Sequence, residues 1–153
     1  MFRDITPVLG EPGLVSSITD QFVEDLNQLG WRPDVIVGPE ARGFIFGPIL
    51  ADRLGCGFVP VRKPGKLPAP SRKVEYSLEY GSNSLEMHED AILPGQKAVI
   101  IDDLLATGGT ISACARLCEE TEAIGGNRQF ALEHEHGPGP EQRDRRCEAP
   151  HQR

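Results

Sequence analysis

The chain has 153 residues and a formal net charge of -7, from 16 basic and 23 acidic side chains, which fits one acidic domain with an ordinary hydrophobic core. A protein that binds nucleic acid through its phosphates is expected to be basic, so this charge argues against that class of partner. No apolar run is long enough to cross a membrane and no signal peptide opens the chain, so we predict a cytoplasmic protein without a membrane partner.

The first part of the chain alternates helical and strand patterns. Helices are predicted where apolar residues recur at helical spacing, and strands where short β-branched runs stand between turn residues. Gly30 and Gly55 follow the two helical segments and predict their ends, while Pro60 favours a place at a sheet edge or at a strand end. In chain order, the predicted elements are a helix over 14–29, a strand over 34–38, a helix over 43–54 and a strand over 58–61.

The next part of the chain contains a loop, a hairpin, a strand and a helix. The span Lys63–Lys73 holds three prolines and four basic residues and predicts a loop. The elements after it are a hairpin from strands at 76–80 and 85–87, a strand over 98–101, and a helix over 111–122 that Thr110 caps. This order is typical of an α/β protein with a mainly parallel sheet flanked by helices, here with a flexible hairpin loop.

The composition changes near residue 124. In the segment 125–153, Phe130 and Leu132 are the only large aliphatic or aromatic residues, and Gly, Pro, Glu, Gln, His and Arg dominate the rest. Such a segment buries too little apolar area to offset the entropy of ordering it. We therefore expect a folded domain over 1–124 and a divergent, disordered tail over 125–153.

A strand that ends in two carboxylates carries the clearest chemical signal. Asp102 and Asp103 close the apolar strand, where open α/β sheets bind ligands, and can accept hydrogen bonds from sugar hydroxyls or help hold a hydrated Mg²⁺. A turn and helix start of small and hydroxyl residues follow, and their backbone N–H groups can point into one concavity: Ala106, Thr107, Gly108, Gly109 and Thr110. The pattern predicts a phosphate monoester pocket, against the alternative of a tight turn beside two solvated acids.

The cysteines indicate reduced thiols, because four of them occur without a secretory signal. Cys114 and Cys118 share one helical face, and His134 and His136 are the histidines nearest in sequence. Zinc is only a minor alternative here, since the second half of a zinc-binding signature is absent.

The stretch 99–110 resembles the phosphoribosyl pyrophosphate (PRPP) motif of the type I phosphoribosyltransferases. Further blocks are similar to the adenine phosphoribosyltransferases of that family, at 2–9, 38–48, 62–68 and 76–81. The resemblance covers residues 2 to about 122. It implies the type I phosphoribosyltransferase fold and transfer of the phosphoribosyl group of PRPP to adenine, giving AMP and pyrophosphate. It also implies Mg²⁺ as cofactor and a cytoplasmic homodimer in purine salvage.

The resemblance implies where PRPP would bind. Asp102 and Asp103 would contact the ribose hydroxyls, with Mg²⁺ bound through the substrate nearby, and the turn 106–110 would bind the 5′-phosphate. Arg42 would bind pyrophosphate and take part in catalysis, after a strained or cis peptide bond that is typical of the family. Further pyrophosphate contacts are implied for Arg62, Lys63, Lys66 and Tyr80.

Two other regions are implied in adenine binding and catalysis. Glu79 would act as general acid/base near the purine, and Tyr80 would form part of a lid that excludes water. Phe2 and Arg3 would contact adenine.

The stretch 62–73 contains five basic residues and no acid, which suits a polyanion, although a solvated loop is the alternative.

The sequence departs from the family at both ends of the resemblance. The N-terminal segment that precedes the Phe-Arg-Asp block in relatives is not seen before Phe2, and after Glu122 an apolar strand gives way to the polar tail. A shifted reading frame, alternative splicing or a mispredicted gene model would explain that tail. Loss of a strand uncovers a sheet edge, so we expect an unstable or weakly active chain.

Three other functions remain open at this point. The PRPP motif alone does not choose the base, so another purine or pyrimidine phosphoribosyltransferase is one alternative, although the blocks 62–68 and 76–80 favour adenine. The second is a non-catalytic PRPP- or nucleotide-binding regulator on the same fold. The third is an inactive truncated isoform.

Overall fold

The computed structural model describes residues 4–77, 82–104, 108–123 and 129–131. Four helices and six strands lie within these ranges. In chain order they are α1 (Thr6–Gly10), α2 (Leu14–Gln28), β1 (Val35–Pro39), α3 (Gly43–Leu54), β2 (Gly57–Val61), β3 (Ser71–Ser77), β4 (Ser82–His88), β5 (Ala98–Asp102), α4 (Gly109–Glu119) and β6 (Gln129–Ala131).

Four strands form a parallel sheet in the order β2-β1-β5-β6. β1 lies inside this sheet, with Val35 opposite Gly57 of β2 and Ala98 of β5. β3 and β4 form a separate antiparallel hairpin. The predicted α/β class, the parallel sheet and the hairpin are confirmed. The edge position predicted from Pro60 is also confirmed, because β2 is the outermost strand.

The sheet is covered on both faces because its central strands bury both sets of alternating side chains. Ile36, Val99 and Ile101 pack with α2 and α3, where Phe22 and Phe46 contribute to the same cluster. The intervening positions pack with α4 and the hairpin, in a second cluster that contains Val35, Val37, Ala98, Ile100, Ile111, Leu117, Val74 and Met87. Strands buried on both faces are read as continuous apolar runs, which is why β1 and β5 are predictable. In the described ranges, none of the helices has the length and apolar character needed to cross a membrane.

Several element boundaries differ from the predictions. The prediction that Thr110 caps the last helix is wrong: α4 begins at Gly109, and Gly108 takes the cap position with a φ of 78° that favours glycine. The predicted loop over 63–73 ends earlier, because Ser71 already starts β3. Ser71 pairs with His88, so pairing with β4 overrides the polar composition of this stretch.

Two elements were not predicted from the sequence. Just before α1, Asp4 Oδ1 accepts hydrogen bonds from the backbone N–H of Thr6 at 2.9 Å and from its hydroxyl at 2.6 Å, so one N–H of the first turn has a partner. β6 lies inside the segment 125–153, so the prediction of a disordered tail is wrong for 129–131. These residues pair with 100–102 of β5, and backbone pairing therefore extends the sheet despite the polar composition. The domain boundary at 124 stays a prediction.

The first turn of α3 approaches the sheet so closely that Gly43 has no room for a side chain. A Cβ there would lie 2.8 Å from Cδ of Pro39 and 2.9 Å from the carbonyl oxygen of Ile101. Both neighbours belong to strands or strand ends, so neither can move without shifting β1 or β5. Gly43 thus fixes how α3 leaves the carboxyl end of β1.

We expect Gly43→Ala to lower the free energy of unfolding by about 1–3 kcal/mol, because the added methyl group overpacks this contact. Urea unfolding measures the change. Gly10→Ala is the matched control, since a Cβ at Gly10 meets none of the described residues within 4 Å, and its effect should stay within about 0.5 kcal/mol. Equal stability of the two variants would contradict this account of the α3 contact.

Candidate active site

The connections of the sheet diverge between the carboxyl ends of β1 and β5, and we call the space between these two strand ends the crevice. From β1 the chain passes through α3 to β2 on one side, whereas from β5 it passes through α4 toward β6 on the other. α3 and α4 cover opposite faces, so the segments that follow the neighbouring strands β1 and β5 separate at their carboxyl ends. Open α/β sheets bind ligands at such a point.

Arg42 and Asp103 meet across this crevice. Arg42 follows β1 and Asp103 follows β5, and Nε of Arg42 lies 3.0 Å from Oδ2 of Asp103. The Asp103 side chain is 1% exposed and that of Arg42 is 33% exposed. A buried carboxylate needs a cation or strong donors to offset its lost hydration, which Arg42 helps to do. The exposed part of the guanidinium can still approach an anion.

Asp103 has unused capacity to accept hydrogen bonds. Both of its carboxylate oxygens are buried, and among the described residues neither has a hydrogen-bond donor in suitable geometry. The 3.0 Å approach of Arg42 is therefore an ion pair rather than an aligned hydrogen bond. Buried polar atoms without partners are uncommon in folded proteins, and hydroxyl groups of a sugar would suit these two acceptors.

Asp102, next to Asp103 in the chain, has a raised pKa. Burial raises its pKa to about 7, with the adjacent Asp103 carboxylate adding to the rise. The backbone N–H of Asp103, which donates to Asp102 Oδ1 at 2.9 Å, and the more distant Arg42 both act in the opposite direction. The Asp102 carboxyl therefore changes charge close to neutral pH, unlike an ordinary exposed aspartate.

The start of α4 supplies the features predicted for a phosphate. Gly108 caps the helix, and the first intrahelical bond runs from Ser112 N to Gly108 O at 2.8 Å. Gly109 and Thr110 occupy the first turn, where backbone N–H groups have no partner within the helix and the helix dipole favours an anion. Ala106 and Thr107 lie outside the described residues.

The basic segment after β2, which we call the cationic loop (residues 62–66), is anchored beside the same edge. Arg62 Nε donates to Glu40 Oε2 at 2.7 Å, and Arg62 Nη1 donates to the carbonyl oxygen of Lys66 at 3.2 Å. Lys63 and Lys66 are exposed.

A non-proline cis peptide bond joins Glu40 to Ala41, so the expected cis or strained bond before Arg42 is confirmed.

Asp102 and Asp103 are the residues that could help hold the Mg²⁺ that the resemblance implies. In the described ranges no three side chains of the types His, Cys, Asp and Glu come together as a metal site. Mg²⁺ often takes only one or two protein carboxylates and completes its shell with water and substrate phosphates. The acceptor oxygens of Asp103, already beside Arg42, fit such a cation held mainly through the substrate.

The zinc alternative at Cys114 and Cys118 has little support. Both thiols are buried in α4, and burial raises the pKa of each, that of Cys118 to about 12. Zinc binds the thiolate, which such burial disfavours. His134 and His136 lie outside the described residues.

The remaining sequence predictions fall where the structure gives no description. The roles of four residues stay predictions, because these residues lie outside the described ranges: Phe2, Arg3, Glu79 and Tyr80.

The structure adds Glu40 to this region, a residue that was not singled out from the sequence. Its partner Arg62 stands 22 residues further along the chain, and nothing in the local charge pattern links the two.

Comparison with known proteins identifies the family. A family model described as phosphoribosyl transferase domain matches residues 11–124. An adenine phosphoribosyltransferase of Francisella philomiragia is 53% identical over 133 residues, which are 87% of this chain and 76% of the relative.

Solved structures agree with this match. The adenine phosphoribosyltransferase of Thermoanaerobacter pseudethanolicus superposes with a TM-score of 0.80 and 47% identity, covering 86% of each chain. The Saccharomyces cerevisiae enzyme, solved with an imino-altritol bisphosphate and adenine, has a TM-score of 0.76 and 46% identity, covering 80% of this chain and 70% of its own. The type I fold expected from the sequence is thereby confirmed, and the chain belongs to the adenine phosphoribosyltransferase family of enzymes.

Proposed function

We propose that this chain transfers the 5-phosphoribosyl group of PRPP to adenine, giving AMP and pyrophosphate for purine salvage. The observation that carries the proposal is the Arg42–Asp103 pair across the crevice, next to the glycine-capped start of α4. These neighbours offer acceptors for sugar hydroxyls, a cation for pyrophosphate and N–H donors for a phosphate monoester. PRPP is a ligand that carries all three groups, and the family membership supports adenine as the acceptor.

The proposed binding mode places the sugar between two anion sites. The 5′-phosphate lies at the first turn of α4, and the ribose hydroxyls donate to Asp102 and Asp103. The pyrophosphate then extends toward Arg42 and the cationic loop. This arrangement holds the anomeric carbon in the crevice, with its leaving group on the cationic side.

The chain's residues act on the charge that develops during transfer. When the bond between the anomeric carbon and pyrophosphate breaks, negative charge grows on the leaving oxygen and positive charge on the ribose ring. Arg42 and the lysines of the cationic loop stabilise the first charge, and the buried carboxylate of Asp103 favours the second. A ring nitrogen of adenine forms the new bond and loses a proton, for which Glu79 is the proposed acceptor.

Three further properties belong to this proposal. Mg²⁺, when bound with PRPP, supplies charge neutralisation on the pyrophosphate. A homodimer is also part of the proposal, because the resemblance to the family implies one. A cytoplasmic location follows from the salvage reaction, which uses soluble substrates.

We expect the chain to form AMP from adenine, PRPP and Mg²⁺, and to give little product with other bases. Asp103→Asn should lower turnover at least about a hundredfold, because it removes the charge that pairs with Arg42 and puts a donor where hydroxyls must donate. Asp20→Asn is the control, since Asp20 is an exposed acid of α2 paired with Arg53. Nucleotide formation is followed by chromatography, and a melting curve checks that each variant folds. PRPP binding without any nucleotide product would favour the regulator alternative.

The pKa of Asp102 predicts an acid limb in the rate profile. As the pH falls through about 7, Asp102 of the free enzyme should be protonated, which removes its negative charge and turns one acceptor oxygen into a donor that the ribose hydroxyls cannot use in the same way. We therefore expect kcat/KM for PRPP to rise with pH through about 7 and then to level off. Asp102→Asn should lower the plateau and remove this limb, leaving only the ionisation of the substrate. An unchanged limb in the variant would contradict the assignment to Asp102.

A further inference from the structure

The cationic loop is held by two carboxylates that come from different elements. Glu40 stands directly after β1, and Glu86 belongs to β4 of the hairpin. Neither acid lies within the basic stretch 62–73, and neither is assigned a role in the proposed reaction. Both nevertheless contact the loop that carries the predicted pyrophosphate cations.

Glu40 fixes the start of the loop through Arg62. Its side chain is 14% exposed, so the 2.7 Å ion pair with Arg62 Nε is partly shielded from water. The backbone N–H of Glu40 also donates to the carbonyl oxygen of Val61 at 2.8 Å, which keeps the two segments side by side. Because Arg62 Nη1 donates to Lys66 O, the same guanidinium closes the loop on itself. Its other N–H groups remain able to donate to an anion.

Glu86 fixes the middle of the loop. Its Oε2 accepts a hydrogen bond from the backbone N–H of Gly65 at 3.0 Å. Its backbone exchanges two hydrogen bonds with Arg62, at 2.8 Å and 2.7 Å. The hairpin is thus bonded to both the first residue and the turn of the cationic loop. Lys63 lies between these anchored points, and Lys66 directly follows the second.

The negative charge of Glu40 could have either of two opposite effects on the binding of PRPP. An acid near a polyanion site repels the ligand, and Glu40 stands two residues from Arg42 at the proposed pyrophosphate site. If Glu40 only added charge to this region, its removal would strengthen the binding of PRPP. If Glu40 instead orients the cations, its removal would weaken the binding, because the loop would lose its anchor.

We propose that Glu40 and Glu86 are positioning residues, which hold the cationic loop so that Lys63 and Lys66 face the pyrophosphate of PRPP. The inference rests on the proposed function. Three cations within five residues repel one another and tend to spread into solvent, and the two carboxylates oppose that spreading at fixed points of the backbone. The binding energy for pyrophosphate is then not used to order the loop.

The test compares the steady-state kinetics of Glu40→Gln and Glu86→Gln with those of the wild type. We expect each variant to raise KM for PRPP by about tenfold, which corresponds to the loss of one charge-assisted hydrogen bond, with kcat and KM for adenine changed by less than about threefold. Glu40→Asp keeps the charge and should recover part of the affinity. Glu75→Gln is the control, since Glu75 is an exposed acid of the same hairpin that pairs only loosely with Lys73, at 3.3 Å. An unchanged or lower KM for PRPP in both glutamine variants would overturn the proposal.

A second measurement reads the loop itself and does not need activity. Trypsin cleaves after Lys66 but not after Lys63, because proline follows Lys63. Cleavage after Lys66, followed by mass spectrometry, should be at least about fivefold faster in Glu40→Gln and Glu86→Gln than in the wild type or Glu75→Gln. Melting curves verify that the variants are folded. Equal cleavage rates would overturn the positioning role even if the wild type makes no AMP, whereas absence of AMP alone would overturn only the proposed function.

Discussion

The ion pair between Arg42 and Asp103 joins the two segments on which the site depends. Each residue directly follows a central strand, and the pair spans the point where the chain turns to opposite faces of the sheet. The nearly complete burial of Asp103 makes its charge costly without a cation, so the pair also fixes the distance between the two segments. The same carboxylate keeps two acceptor atoms without a donor among the described residues, so the side chain that supports the structure is also the one proposed to bind the ribose hydroxyls.

The packing of the sheet explains why this pair stands where it does. Central strands that bury both faces require helices on both faces, and these helices carry the chain away from the crevice in opposite directions. The close approach of α3 at Gly43 brings Arg42 to the sheet edge, while Gly108 starts α4 on the other side. Cation, carboxylates and helix start therefore converge because of core packing, before any ligand binds.

Features that depend on local sequence could be predicted, whereas features that depend on distant neighbours could not. α3 and β5 are predictable because apolar spacing and flanking glycine specify them, and α3 has the predicted bounds of 43–54. β6 is not predictable, because its three residues gain their order from β5. From the sequence, Asp102 and Asp103 are expected to have the same role. In the fold, Asp103 pairs with Arg42, whereas burial raises the pKa of Asp102 to about 7. Such differences depend on neighbours distant in sequence.

Charge balance in this molecule is local rather than global. The net charge of -7 argues against nucleic acid, but the cationic loop places three basic residues within five positions. Those cations do not stand alone, since Glu40, directly after β1, and Glu86 of β4 contact the loop. Acids that hold cations in place reduce the local net charge, but they also keep the cationic side chains in defined positions. A polyanion with fixed phosphate spacing gains more from cations in defined positions than from additional mobile ones. The acidic net charge is therefore compatible with the proposed binding of a highly charged anion at one edge of the sheet.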